Sequence, residues 1–491
     1  MSRRKKVAIV GGGIGGLTTA LLLSQRGADV TIFEQSNRLG GRIAFEEQDG
    51  MQIDQGPTIV LLPEMLHGIM EEAGISRDRL PLLECDPLYR IHYTDGRVMT
   101  KHRGTEQQAA EIERLFPGEG AGFQRFMRDM TPLFSRGQAS FLERDFPNAG
   151  SFFSRSNLGL MRSLRAYRNL SSAAGLYFRN PRLREAYSLQ SLYIGGIPEK
   201  SPGLYTMLPY AEHAFGIWML KGGYGALPQI LGEELHHRGV TIQPNCPVER
   251  LEVRNGVCIG VQADGERLSF DSVLFNGDFP SIDRLLEHAH PQLKPRRRPF
   301  QPSSGCVLIY AGTNRRWDDQ LTHQFFLPDD LNQSLRQTFG QRQLPTHPSV
   351  YVFNPTALDD QAAPPGRSAL YFLIPVTDAE GIAWEQDTGA LVEQVLNTVE
   401  QRGWHGLGAS IDWMKVRTPA DALQSGLYGG GSFGIAPIIR QSGVYRPQPR
   451  PFPTIRRLYA AGASVHPGGG VPIVMQGARM AAQQMLKELG I

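Results

Sequence analysis

Between an apolar run and a helical one lies the pattern Gly11-x-Gly13-x-x-Gly16, and few arrangements restrict a fold as much. Lys6-Val7-Ala8-Ile9-Val10 reads as a buried strand and Leu17–Arg26 as a helix. In that strand–turn–helix setting each glycine has a task. The first makes the tight turn, the second lets backbone approach a pyrophosphate, and the third packs helix on strand. The helix N-terminus then faces the phosphates. Asp29-Val30-Thr31-Ile32-Phe33-Glu34 supplies a second strand ending in an acid, placed to accept hydrogen bonds from a ribose. That acid argues against a cofactor carrying a 2′-phosphate.

The same opening could imitate an export signal, because basic Met1–Lys6 precedes an uncharged run from Val7 to Gln25. Five glycines in that run are poor material for a membrane helix, so the expectation is neither a signal peptide nor a span. Four cysteines (Cys85, Cys246, Cys258, Cys306) form no C-x-x-C pair, and no histidine or acid cluster has metal-ligand spacing. A net charge of +3 gives no ground for a nucleic-acid partner.

Further along, Gly40-Gly41-Arg42 follows Glu34, and Asp54-Gln55-Gly56-Pro57-Thr58 follows that. A Gly-Gly-Arg turn brings backbone close to a bound dinucleotide while Arg42 faces its phosphates. The pairing resembles the flavoprotein superfamily of amine oxidases, protoporphyrinogen oxidases and carotenoid desaturases, which implies FAD. Several other segments are similar to bacterial-type phytoene desaturases. They are Leu192–Gly196, Gly203-Leu204-Tyr205, Phe215–Trp218 running into Lys221-Gly222-Gly223, and the tail from Ala461 to Val474. Phe141–Arg144, Asp278–Ser281 and Tyr445–Gln448 resemble dehydrosqualene (4,4'-diapophytoene) desaturases. Pro467-Gly468-Gly469-Gly470 departs from them towards the sister group that oxidises terminal methyl groups, whereas His466 is desaturase-like.

The resemblance implies an α/β protein. A Rossmann-like, glutathione-reductase-type FAD domain (1–90, 221–290 and 445–491) would be assembled discontinuously. A largely helical, membrane-proximal region (91–220) and an α+β substrate domain with a second sheet (291–444) would be inserted in it. FAD would be held by Gly11, Gly12, Gly13, Ile14, Gly15, Gly16, Glu34, Gln35, Gly41, Arg42, Gly56, Pro57, Thr58, Val248, Gly462, Val471 and Pro472. The implied reaction is dehydrogenation of a linear thirty-carbon carotenoid precursor, with hydride passing to flavin and electrons onward to oxygen or a quinone. Terminal-methyl oxidation, a forty-carbon substrate, and amine or porphyrinogen oxidation are the alternatives; a non-catalytic lipid carrier would not need an intact flavin motif.

A hydrocarbon offers nothing to hydrogen-bond, so an apolar tunnel must recognise it. Tyr193, Tyr205, Phe215 and Trp218 are the expected wall, alongside Met207 and Tyr210. His466, beside the glycine turn, is the candidate catalytic or orienting group. Glu143, Asp145, Glu212 and His213 read as packing or surface residues. A substrate this apolar resides in a bilayer, so peripheral docking on the cytoplasmic side of the membrane is expected, helped by Arg3–Lys6 and Arg296–Arg298.

Overall fold

The computed structural model describes residues 3–286 and 299–491, which leaves Arg296–Arg298 outside the described residues. Lys6–Val10 is the middle of a five-stranded parallel sheet. Its order is Leu458–Ala460, Ser272–Phe275, Lys6–Val10, Asp29–Phe33, Thr241–Gln243. Alternate side chains of a strand point to opposite faces. Val7 and Ile9 therefore pack on helices Ile14–Gln25, Leu227–His237 and Val471–Leu489. Ala8 and Val10 pack on a three-stranded antiparallel sheet, Val248–Arg254, Val257–Ala263 and Glu266–Ser269. A strand covered on both faces reads as a continuous apolar run, as this one does.

The second sheet has seven strands. In order they are Ile411–Arg417, Gly305–Thr313, Ser368–Val376, Val350–Phe353, His323–Phe326, Tyr89–His92 and Val98–Lys101. Val307, Ile309 and Ala311 face helix Trp384–Gln401. The opposite face, with Leu308, Phe325, Tyr351 and Tyr371, turns inward under a helical layer that includes Gly120–Gly137 and Met207–Phe215.

The hairpin turned by Asp95-Gly96 forms as expected but joins this sheet, through parallel pairing of Tyr89–His92 with His323–Phe326. A boundary at residue 90 therefore cuts a strand, and 91–101 belongs structurally with the substrate sheet. At the other end of the helical region, Trp218–Leu220 pairs with Leu82–Glu84. Among the described residues no helix is long and apolar enough to cross a membrane.

Candidate active site

The carboxyl ends of the parallel strands open into one cavity of about 1210 Å³ that continues beneath the inward face of the seven-stranded sheet. Drug-sized ligand sites span roughly 300–1,000 Å³, so this space exceeds what one such ligand needs. Its first part is polar and built from turns. Gly11 sits at φ +102°, where a side chain would be strained, and its N–H is tied to Phe33 O at 2.8 Å. A Cβ on Gly16 would fall 2.3 Å from Gly11 O, so only glycine lets the helix approach the strand. Helix Ile14–Gln25 thus begins at Gly13 with no side-chain cap, and Gly13, Ile14 and Gly15 line the cavity. Uncapped N–H groups at a helix start attract an anion.

Glu34 lies at the same wall, buried. Its Oε2 accepts from Gly12 N–H at 2.7 Å, and its Oε1 from the Ser36 N–H and hydroxyl at 2.8 Å. Gly12 and Gly16 therefore shape the cradle from behind, while Gln35, Gly41, Val248 and Gly462 line it. Across from them Arg42 donates to Asp278 Oδ2 at 2.9 Å. Asp278 is held in turn by Tyr428 N–H at 3.0 Å and by the Ser464 hydroxyl. Arg42 Nε is buried without a partner.

Gly56, Pro57 and Thr58 continue the lining. Asp54 anchors that turn by accepting the N–H groups of Gly225 at 2.7 Å and Tyr224 at 3.1 Å. The last helix, Val471–Leu489, also starts without a side-chain cap, and Gly470, Val471 and Pro472 face the cavity. Two uncapped helix starts, a buried acid hydrogen-bonded to the glycine turn and an orphaned guanidinium N–H fit FAD. Among the described residues no cluster of metal-ligating side chains occurs.

The second part of the cavity is apolar. Leu189, Leu192, Leu204, Met207 and Phe141 meet Leu308, Phe325 and Leu373 across it. Tyr193 and Tyr205 line it as expected. Phe215 and Trp218 do not, and that expectation is corrected. Phe215 packs on Phe134 with centroids 5.0 Å apart, and Trp218 is fixed in the strand beside Leu82–Glu84, its indole N–H donating to Phe215 O at 2.8 Å. Residues 215–218 leave the helix for this strand, which turns both rings away from the cavity.

His466 is corrected likewise. Pro467 lines the cavity but His466 points behind it, its Nε2–H donating to Arg144 O at 2.7 Å and its ring on Phe146. Burial pushes it down to about 4, leaving a neutral ring that fastens the glycine turn. Glu212 and His213 are buried packing residues. Glu212 accepts from the Tyr89 and Tyr193 hydroxyls at 2.8 and 2.9 Å and from Gln190 at 3.0 Å, with Lys101 Nζ at 3.9 Å. Burial raises Glu212 and lowers Lys101 to about 8.

Three residues escape a reading along the chain. Asn276 holds the glycine turn through Gly11 O at 3.1 Å. Asp278 anchors Arg42, and both Asn276 and Asp278 follow strand Ser272–Phe275, whose carboxyl end is where ligands of such sheets bind. Tyr351, on the second sheet, places its hydroxyl 2.6 Å from Thr58 Oγ1 and 2.7 Å from His323 Nδ1.

A family model described as flavin containing amine oxidoreductase matches residues 14–486. The chain is 44% identical to a 4,4'-diapolycopen-4-al dehydrogenase of Metabacillus indicus, over 98% of this chain and 97% of that one. It is 31% identical to a 4,4'-diapophytoene desaturase (4,4'-diapolycopene-forming) of Methylomonas sp, over 98% and 95%. Cyclohexylamine oxidase from Brevibacterium oxydans IH-35A shares the fold at a TM-score of 0.64 and 14% identity, with 100% of both chains covered.

Proposed function

The chain belongs to the flavin containing amine oxidoreductases, beside their bacterial carotenoid desaturases, and is an FAD-dependent oxidoreductase; on that premise we propose that it oxidises a linear thirty-carbon carotenoid. The observation that carries this reading is the continuity of a polar FAD cradle with an apolar, aromatic-walled arm in one cavity. Bound FAD would supply the two-electron acceptor for a hydride. The protein's own part is to bind, orient and dehydrate. Tyr193 is held to Glu212 and Tyr371 is buried in the sheet, so the arm has rigid walls that select length and shape. An amine would call for a negatively charged partner in that arm, and its helical roof offers Leu, Met, Phe and Tyr.

Within this class, oxidation of an aldehyde end group has specific support. The relative acting on diapolycopenal is 44% identical against 31% for the diapophytoene desaturase, and Pro467-Gly468-Gly469-Gly470 resembles the group that oxidises the terminal methyl groups of such chains. Dehydrogenation within the chain is the second reading, supported by the resemblance of Phe141–Arg144 and Tyr445–Gln448. Pigment analysis in a carotenoid-free host separates them. Co-expression with a dehydrosqualene synthase lengthens the chromophore if the enzyme desaturates, whereas supplied diapolycopenal becomes an acid if it oxidises ends. Failure of both substrates, with FAD bound, overturns the thirty-carbon assignment.

The docking surface we propose for an anionic lipid bilayer is the segment from Phe153 to Arg179. Phe153, Leu158, Tyr167 and Leu176 are exposed large apolar side chains. Arg155, Arg162, Arg165, Arg168 and Arg179 are exposed between them, and no acid occurs from Phe146 to Arg184. Exposed apolar side chains interleaved with arginine along one segment match a negatively charged interface. Electrons would then leave to oxygen or a membrane quinone.

A further inference from the structure

Oxidation of either proposed substrate removes a proton as well as a hydride, and neither His466 nor Glu212 lines the cavity. His466 is turned to Arg144 O, and Glu212 is enclosed by tyrosines. The junction of the cradle and the apolar arm does carry a polar chain. Thr58 belongs to the turn that lines the cradle, and Tyr351 stands on the inward face of the seven-stranded sheet; both line the cavity. Their hydroxyl oxygens are 2.6 Å apart, and His323 Nδ1 lies 2.7 Å from Tyr351 Oη. His323 is wholly buried, stacked on Phe353 with centroids 5.3 Å apart, and its Nε2 has no hydrogen-bond partner. A buried, half-satisfied polar chain between apolar neighbours is costly, and such groups call for an explanation.

We propose that Tyr351 is the proton acceptor of the reaction and that His323, hydrogen-bonded behind it, receives the proton Tyr351 releases. This rests on the functional reading above. Thr58 donates to Tyr351 Oη, and the Tyr351 O–H donates to His323 Nδ1. When a hydride has left an allylic carbon, the adjacent C–H is strongly acidic. Its proton passes to Tyr351 Oη, its electron pair becomes the new C=C bond, and the tyrosine proton moves to Nδ1. With an aldehyde the substrate is the hydrate formed with water. The hydride leaves carbon, the O–H proton passes to Tyr351 Oη, and that O–H electron pair becomes the C=O bond of the acid. In both cases His323 carries one added proton, which passes back through Tyr351 Oη to the water that enters the cavity when product leaves. Burial lowers His323 to about 3, so it passes the proton on rather than keeping it.

Tyr351→Phe and His323→Gln test this in FAD-loaded protein, with the thirty-carbon polyene or aldehyde that the wild type oxidises. Positioned general bases contribute about 10²–10⁴-fold, so Tyr351→Phe lowers turnover by about that factor. KM and FAD content stay near wild type, while stability falls by the cost of leaving His323 Nδ1 without its hydroxyl partner. Wild-type turnover slows in heavy water because the tyrosine O–H is in flight, and Tyr351→Phe loses that slowing. His323→Gln keeps an acceptor for the hydroxyl but takes up no proton, so it retains stability and loses turnover. Nitrogen NMR of histidine-labelled protein gives a readout apart from activity: His323 shows a bare, hydrogen-bonded Nδ1 and a protonated Nε2, and Nδ1 shifts in Tyr351→Phe.

Unchanged turnover in Tyr351→Phe, or a protonated Nδ1, overturns the assignment while the functional reading stands. A wild type that binds FAD yet oxidises neither substrate overturns the functional reading and this inference with it. If Tyr351→Phe does not fold, His323→Gln decides, and wild-type turnover there is the contradicting result.

Discussion

Arg42 and Asp278 show how single residues turn a glycine-rich turn into a cofactor site. Arg42 lines the cradle, uses one nitrogen on Asp278 and leaves Nε buried without a partner. Arg42→Met should weaken FAD binding at least about tenfold in a titration of apoprotein, because a charge-assisted bond is lost. Arg42→Lys should recover only part, since it restores charge and not the fork. His466 makes a different prediction. Its folded proton affinity is lowered, to about 4 against an ordinary value near 6.5, so the unfolded chain takes up the proton first. The stability it contributes is complete above 6.5 and is lost as pH falls towards 4. The advantage of wild type over His466→Gln should therefore shrink by about 1.4 kcal/mol per pH unit in that window, measured by urea unfolding. The place of Glu34 and Arg42 in the cavity wall was legible because each lies close in sequence to the glycine turn. Tyr351 was not, because its partner Thr58 is 293 positions away and nothing local marks the meeting.

Among the elements, the hairpin Tyr89–Lys101 was legible from its Asp-Gly turn, but its sheet was not. Its partner strand His323–Phe326 is four residues long and lies more than 200 positions on, so pairing is decided by tertiary packing. The hairpin carries Lys101 beneath helix Met207–Phe215, where Glu212 is its counter-charge, and both side chains are fully buried. Glu212→Ala should cost about 3–5 kcal/mol, because the lysine is left uncompensated. Adding Lys101→Met should recover most of that loss, measured as a double-mutant cycle of unfolding free energies. The arginine-rich segment makes the other test at this scale. Replacing Arg155, Arg162, Arg165 and Arg168 with Gln removes four cations worth about 1 kcal/mol each near an anionic surface. Binding to vesicles containing phosphatidylserine should fall by about a thousandfold, and binding to neutral vesicles should change little. Equal loss on both would contradict the electrostatic part of the proposal.

For the molecule as a whole, segments from both ends and the middle of the chain build one cradle. Lys6–Val10, Ser272–Phe275 and Leu458–Ala460 are neighbours in the sheet although some 450 residues separate the first from the last. That discontinuity was readable because each returning strand is a buried apolar run followed by glycine or a polar turn. The orientation of the aromatic residues between Leu189 and Leu220 was not, since a 3₁₀ turn and a strand interrupt the helical period there. The proposed activity passes electrons from a thirty-carbon polyene to FAD held in this cradle. Mixing FAD-loaded protein anaerobically with diapolycopenal, with dehydrosqualene and with an aliphatic diamine, and recording the flavin spectrum, tests it most directly. The flavin should bleach with a polyene, most with the aldehyde, and stay oxidised with the diamine. Bleaching by the diamine alone would contradict it.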